Sequence, residues 1–102
     1  MTSSKFVVLK EVSATATRPS GALAREKLMG LLQHVDVAIV DMSDIVLTPS
    51  FADEFLGVLL AELGETKFRD SVRIENVPEP AQPLLHAVLH RRTVSRAHAA
   101  HS

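Results

Sequence analysis

Residues 37–60 read VAIVDMSDIVLTPSFADEFLGVLL, and they predict a strand, a loop and a helix in that order. Residues 37–40 are uniformly apolar and are bracketed by Asp36 and Asp41, which is typical of a short central strand buried on both faces. Such a strand needs helices on both sides. The stretch therefore predicts an α/β layer structure.

The helix of this unit is predicted to begin at Ser50. Pro49 disfavours helical geometry at Thr48, whereas Ser50 is a good N-cap residue with Asp53 and Glu54 behind it in the first turn. Apolar side chains cover most of the helix surface, so we expect it to be largely buried. These side chains are Phe51, Phe55, Leu56, Val58, Leu59, Leu60 and Leu63.

Two glycines mark this helix. Gly57 lies inside it, where glycine costs about 1 kcal/mol relative to alanine, and a close approach to the sheet would explain its presence. Gly64 suits a left-handed C-cap and predicts the end of the helix.

Further strands and helices are predicted on both sides of this unit. A β-branched and aromatic run predicts a strand over 6–9, extended to Val12, and a second strand is predicted over 71–77. Amphipathic patterns predict helices over 22–35 and around 84–89. The alternation predicts an α/β fold with a small central sheet, mostly parallel or mixed, of three to four strands with about three helices.

Length and composition limit the classes of protein to which the chain can belong. The 102 residues are enough for one domain, predicted over 1–92, with a weakly ordered basic and histidine-containing tail over 93–102. The absence of cysteine excludes disulfides, thiolate zinc sites and cysteine nucleophiles. The longest nearly apolar run, 55–61, is far shorter than the roughly 20 residues of a membrane-spanning helix. Without a recognisable leader, a cytoplasmic protein is expected.

Charge is distributed unevenly along the chain. Seven carboxylates lie between Asp36 and Glu65 without one Lys or Arg, whereas Arg91, Arg92 and Arg96 follow Glu79 without an acid. One interpretation is an acidic surface that attracts a basic protein and repels nucleic acid. The other is that these acids are solvated residues at helix starts and on wet faces. Neither nucleic acid nor a membrane is an expected partner.

The sequence contains none of the familiar catalytic motifs. A glycine-rich phosphate loop, a GxSxG elbow and an HExxH motif are all absent, so no enzyme is predicted. His86 and His90 have a spacing that can bring two imidazoles to one metal, and His98 and His101 follow in the tail. No acidic or cysteine ligand accompanies them, and exposed polar-face histidines are the simpler interpretation. We therefore predict neither a metal nor a cofactor.

The sequence of the strand end, the loop and the helix start resembles the STAS family, named for sulphate transporters and anti-sigma factor antagonists. Asp41-Met-Ser-Asp-Ile45 matches the strand end and loop of that family, and Ser50-Phe-Ala-Asp-Glu54 is the most specific part. The sequence TPSFADE, together with an Arg-Gly-Arg pattern at Arg18, Gly21 and Arg25, is most similar to a divergent bacterial STAS-like family of unknown function. The resemblance spans residues 17–92.

Three residues depart from the anti-sigma factor antagonist pattern. Pro49 replaces an acid, Phe51 replaces a second hydroxyl residue, and Ala52 replaces a glycine.

The resemblance implies a non-enzymatic, regulatory protein-interaction module. Ser50 falls at the serine that a partner kinase phosphorylates in anti-sigma factor antagonists, so an ATPase of the histidine-kinase-like class is the implied partner. The alternative is that Ser50 serves only as an N-cap. The expected partner-binding residues are Asp44, Thr48, Ser50, Phe51, Asp53 and Glu54.

Four residues are expected to support the loop between the central strand and the helix that follows it. Arg18 and Arg25 can pair with the acidic loop and hold the first long helix against it, with Gly21 between them. Asp41 is expected to accept hydrogen bonds from loop amides rather than to act as a base. A different function is also open: a structural or assembly subunit that acts mainly through homodimerisation and completes its sheet across the dimer.

Overall fold

A computed structural model describes the backbone of residues 2–100 and the side chains of residues 2–92. The elements in chain order are β1 (Ser4–Val8), α1 (Leu9–Val12), α2 (Arg18–Leu31), β2 (Val37–Asp41), α3 (Pro49–Ala52), a π-helical segment (Asp53–Gly57), α4 (Val58–Leu63), α5 (Glu65–Ser71), β3 (Val72–Glu75), a 3₁₀ turn (Glu79–Ala81) and α6 (Gln82–Ala100). Because α3, the π-helical segment and α4 follow one another without a break, residues 49–63 are called the central helix below.

The three strands form one parallel sheet in the order β1-β2-β3. The predicted α/β class and the number and direction of the strands are therefore confirmed. The described residues form five helices when the central helix is counted as one, against about three predicted. The two missed helices are α1, where Leu9 and Val12 are helical rather than part of the first strand, and α5, whose only buried residue is Phe68.

The prediction that the central strand is buried on both faces is wrong. Ala38 and Val40 of β2 are fully buried and belong to the core, whereas Val37 and Ile39 on the opposite face are only half-buried. Phe6, which pairs with Ile39 in the register, is 50% exposed. Val40 lines a pocket together with residues of α1, α2 and the central helix, so these helices lie on its side of the sheet, whereas the second face is only partly covered.

The central helix supplies most of the core. Phe51, Leu56 and Leu59 are fully buried, and the rings of Phe51 and Phe55 lie 5.5 Å apart. Burying each such side chain contributes about 1.5 to 3 kcal/mol. Helix α2 contacts α3 and the π-helical segment, and α6 contacts both of these and α4.

Gly57 inside the central helix and Gly64 just after it both have a structural reason, although that of Gly57 differs from the prediction. A Cβ at Gly57 would lie 2.7 Å from Asp53 Oδ1 and 3.1 Å from Val88 Cγ1. The close approach is therefore to α6 and not to the sheet, and that prediction is wrong. Gly64 ends α4 with a φ of 87°, as the predicted helix end requires, but its ψ of 156° is not that of a left-handed C-cap.

The last helix, α6, runs from Gln82 to Ala100. The predicted weak order of 93–102 concerns a stretch whose side chains lie outside the described residues, so it stays a prediction. No helix in the described part of the chain combines the length and the apolar character needed to cross a bilayer.

Candidate interaction site

The loop between β2 and the central helix, residues 42–48, is called the corner loop. Ile45 and Leu47 are 8% and 9% exposed and anchor this loop on the core, whereas Val46 between them is 81% exposed. The backbone is held from outside the loop, because Thr15 Oγ1 donates a 2.7 Å hydrogen bond to the Val46 carbonyl. Thr48 Oγ1 donates to the carbonyl of residue 16 at 2.8 Å. The loop therefore presents one apolar side chain on a fixed backbone.

Asp41 fixes the start of the corner loop. Its carboxylate accepts hydrogen bonds from the Ser43 amide at 3.2 Å, the Ser43 hydroxyl at 2.9 Å and the Asn76 side-chain amide at 2.9 Å. These bonds, that from Asn76 first, lower the pKa of Asp41 below its usual value. The ionised carboxylate thus acts as an acceptor for the loop, with a partner from the segment after β3 that the sequence did not indicate.

Asp44 is the exposed charge of the corner loop. Its side chain is 78% exposed, its backbone has a φ of 59°, and its carboxylate lies 2.9 Å from Lys10 Nζ. The hydrogen bond to Asp44 raises the pKa of Lys10. An ion pair this exposed adds little stability, so Asp44 can exchange Lys10 for another cation at small cost.

Thr48, not Ser50, caps the central helix. Thr48 has extended φ and ψ of −99° and 156°, and its hydroxyl accepts a 3.3 Å hydrogen bond from the Phe51 amide. Pro49 explains the shift, because proline favours the first helical position and forces an extended residue before it. The N-cap prediction for Ser50 is wrong. Ser50 lies inside the first turn with a half-buried side chain.

Asp53 and Glu54 connect the central helix to two other helices. Arg92 of α6 contacts Asp53 through two hydrogen bonds of 3.0 and 2.9 Å, and Arg18 of α2 approaches the same carboxylate at 3.5 Å. Glu54 lies 2.9 Å from Arg25, which also donates to the Glu54 carbonyl. The bond from Arg92 lowers the pKa of Asp53. These carboxylates are therefore engaged within the chain.

Gly21 lets α2 approach the central helix closely enough for these ion pairs. A Cβ at this position would lie 2.9 Å from the Phe51 carbonyl oxygen and 2.9 Å from Glu54 Cβ. Arg18, Gly21 and Arg25 thus lie on the side of α2 that faces the central helix. The two arginines contact carboxylates of the central helix rather than the corner loop, contrary to the expected pairing with the acidic loop.

Comparison with protein families shows that a family model described as a STAS-like domain of unknown function matches residues 23–82. The chain belongs to this family. The matched segment contains Arg25, the corner loop and the first turns of the central helix, and it ends before Arg92. Comparisons with curated proteins and with solved structures found no match.

The six residues expected to bind a partner differ in exposure and in their contacts within this STAS-like domain. Phe51 is fully buried and packs in the core. Its prediction as a residue that contacts a partner is therefore wrong. Asp53 and Glu54 are 17% and 22% exposed and paired with arginines, and Thr48 is the helix cap. Asp44 is open to solvent, and Ser50 is half-buried. Whether they bind a partner stays a prediction.

Besides Asn76, sequence reasoning missed Val46 and Arg92. Val46 lies between two other aliphatic residues, so nothing in the pattern distinguishes the exposed side chain from its buried neighbours. Arg92 is 39 positions from Asp53, and only the packing of α6 brings the two together.

The acidic surface expected from the sequence is only partly neutralised in the STAS-like domain. Of the seven carboxylates, Asp44, Asp53, Glu54 and Glu65 have cationic partners within the chain. Asp36 and Asp41 accept hydrogen bonds from neighbouring residues. Hydrogen bonds from neutral groups leave the charge of Asp36 and Asp41 in place, so ion pairing reduces the acidic charge without removing it.

The histidines of α6 do not come together with further ligands. His86 and His90 are both exposed, and among the side chains of residues 2–92 no group of three or more potential ligands is arranged to hold a metal ion. His98 and His101 lie outside the described side chains.

Proposed function

We propose that this STAS-like domain is a non-enzymatic, regulatory protein-interaction module that binds its partner through the corner loop. The observation that carries the proposal is Val46, which is 81% exposed although the loop backbone around it is held by hydrogen bonds. A contact residue that is already fixed loses little conformational entropy on binding. Asp44 beside it adds an exposed carboxylate, so the matching surface is an apolar pocket rimmed by a basic group.

The proposal extends to control by phosphorylation of Ser50. A phosphoryl group would add a charge of about −1.5 to −2 at neutral pH to a residue whose helical neighbours are Asp53 and Glu54. The added charge and bulk would release a partner docked on the corner loop. The resemblance to anti-sigma factor antagonists supports an ATPase of the histidine-kinase-like class as that partner and kinase.

Calorimetric titration of the domain with the purified histidine-kinase-like ATPases of its source cell tests this function. We expect one of them to bind, Val46→Asp to weaken binding at least tenfold, and Leu23→Asp to leave it unchanged. Leu23 is a matched control because it is 56% exposed and lies on α2. Binding by none of the ATPases refutes the partner class, and equal binding by Val46→Asp refutes the corner loop as the contact surface.

Variants of Ser50 test the switch separately. Ser50→Asp should lose partner binding, Ser50→Ala should retain it, and incubation with the ATPase and ATP should add one phosphoryl group to the wild type but not to Ser50→Ala. If both variants bind like the wild type and no phosphoryl group is transferred, the switch is refuted while the interaction stands.

Homodimerisation is the second candidate function. The observation in its favour is the edge strand β1, whose Phe6 is 50% exposed. A two-fold axis beside β1 would pair this strand with its copy and join two three-stranded sheets into one. Light scattering over a range of concentrations should then show a dimer that Phe6→Glu dissociates and Leu23→Glu does not. A concentration-independent monomer excludes this function. For either function we propose a cytoplasmic location.

A further inference from the structure

An apolar pocket lies between α1, α2 and the sheet. Eight of its nine lining residues are apolar, its volume is about 210 Å³, and it is open to solvent on one side. Its lining includes Leu9 and Val12 of α1, Ala24 and Leu28 of α2, and Phe55 of the central helix. The pocket is therefore set into the hydrophobic core.

Water is a poor occupant of this pocket. A buried water requires two to four polar partners, and these walls offer almost none. An engineered apolar cavity of about 150 Å³ stays dry and binds benzene, so by proportion about eight carbon atoms fit into the present volume. The shape and chemistry thus suit a short aliphatic chain.

Lys27 is the single charged residue of the lining. Its ammonium donates a 3.1 Å hydrogen bond to the carbonyl of Val12, the last residue of α1. An ammonium has three N–H donors, so two are available for a ligand. Among the described side chains no carboxylate lies within ion-pair distance of Lys27. The mouth of the pocket therefore offers an unneutralised cation beside an apolar interior.

We propose that this pocket binds a straight-chain carboxylic acid of about eight carbons. The chain occupies the space between α1 and α2, and the carboxylate contacts Lys27 Nζ. The residues that hold the ligand are distinct from the exposed Val46 and Asp44, so this site does not depend on the function proposed for the corner loop.

Calorimetric titration with monomeric octanoate, octanol and octylamine tests the ligand class. These probes share one chain length and differ in the charge of the head group. Octanoate should bind most tightly, octanol more weakly, and octylamine most weakly because of repulsion by Lys27. Absence of octanoate binding, or octylamine binding as tight as that of octanoate, overturns the proposal.

Two variants locate the site. Lys27→Met keeps the apolar stem, and it should weaken octanoate binding about fivefold without affecting octanol. Lys67→Met, which removes an exposed lysine of α5, is the control and should bind octanoate normally. Ala24→Leu should fill the pocket and abolish binding of both neutral and anionic probes.

Unchanged octanoate affinity in Lys27→Met, or full affinity in a folded Ala24→Leu, refutes the assignment. If Ala24→Leu does not fold, the probe series and Lys27→Met alone decide the outcome.

Discussion

Replacing Gly21 by alanine should destabilise the domain, although alanine normally stabilises a helix. The new Cβ would lie 2.9 Å from the Phe51 carbonyl oxygen and 3.2 Å from the Phe55 amide nitrogen, and both are backbone atoms that cannot rotate away. Ordinary contact begins at 3.4 Å, so α2 and the central helix must separate by about 3.4 − 2.9 = 0.5 Å.

The magnitude follows from two opposing terms. Overpacking of this kind typically costs about 1 to 3 kcal/mol, and the higher helix propensity of alanine returns up to about 1 kcal/mol. We therefore expect Gly21→Ala to lower the free energy of unfolding by up to about 2 kcal/mol. Separation of the helices would also lengthen the contact between Arg25 and Glu54.

Gly30 provides a matched control on the same helix. A Cβ at Gly30 would meet no atom within 4 Å, so Gly30→Ala should raise the free energy of unfolding by about 0.5 to 1 kcal/mol. Urea unfolding followed by circular dichroism measures both variants. If Gly21→Ala is as stable as Gly30→Ala, the close approach of α2 to the central helix is not the reason for the glycine.

Three further predictions concern the site. Thr48→Ala should lower the free energy of unfolding by about 1 kcal/mol because it removes the helix cap, whereas Ser50→Ala should change it by less than about 0.5 kcal/mol in the same urea assay; the reverse order would restore Ser50 as the cap. Because Arg92 lowers the pKa of Asp53 in the folded state, the ion pair stabilises the fold above the unfolded pKa of 3.8, and this stability is lost as the pH falls. Asp53→Asn should therefore be less stable than the wild type near neutral pH and lose less stability in acid. Equal slopes of the free energy of unfolding against pH in the two proteins would contradict this. Asn76→Ala should raise the pKa of Asp41, measured from its carboxyl chemical shift, and an unchanged pKa would show that the Asn76 bond is not the cause.

Much of the fold could be predicted because its signals are local. The apolar run 37–40 predicts β2, and the N-cap expected at Ser50 lies within two residues of the observed cap, Thr48. By contrast, α5 escaped prediction because only Phe68 of its seven residues is buried, which leaves no apolar stripe. The half-buried face of β2 escaped because periodicity cannot tell how many helices cover a strand.

The candidate site was predicted less well. The expected residues lie in the corner loop and at the start of the central helix, but the position of the helix cap decides which of them can contact a partner. Once Thr48 is the cap, Phe51 points into the core and Ser50 lies inside the first turn. A shift of two residues along a helix turns a side chain by more than half a turn, so a small error in the boundary changes the exposed set.

By itself the sequence determined the family and the strand-loop-helix unit, because the choice between strand and helix depends on residues a few positions apart. Only the tertiary structure decided that Asp53 is paired with Arg92 and that Val46 is the exposed tip of the corner loop. Ion pairing and exposure depend on which distant segments pack together. Here α2 and α6 supply the cations that pair with Asp53 and Glu54, while Ile45 and Leu47 anchor the loop on the core and leave Val46 in solvent.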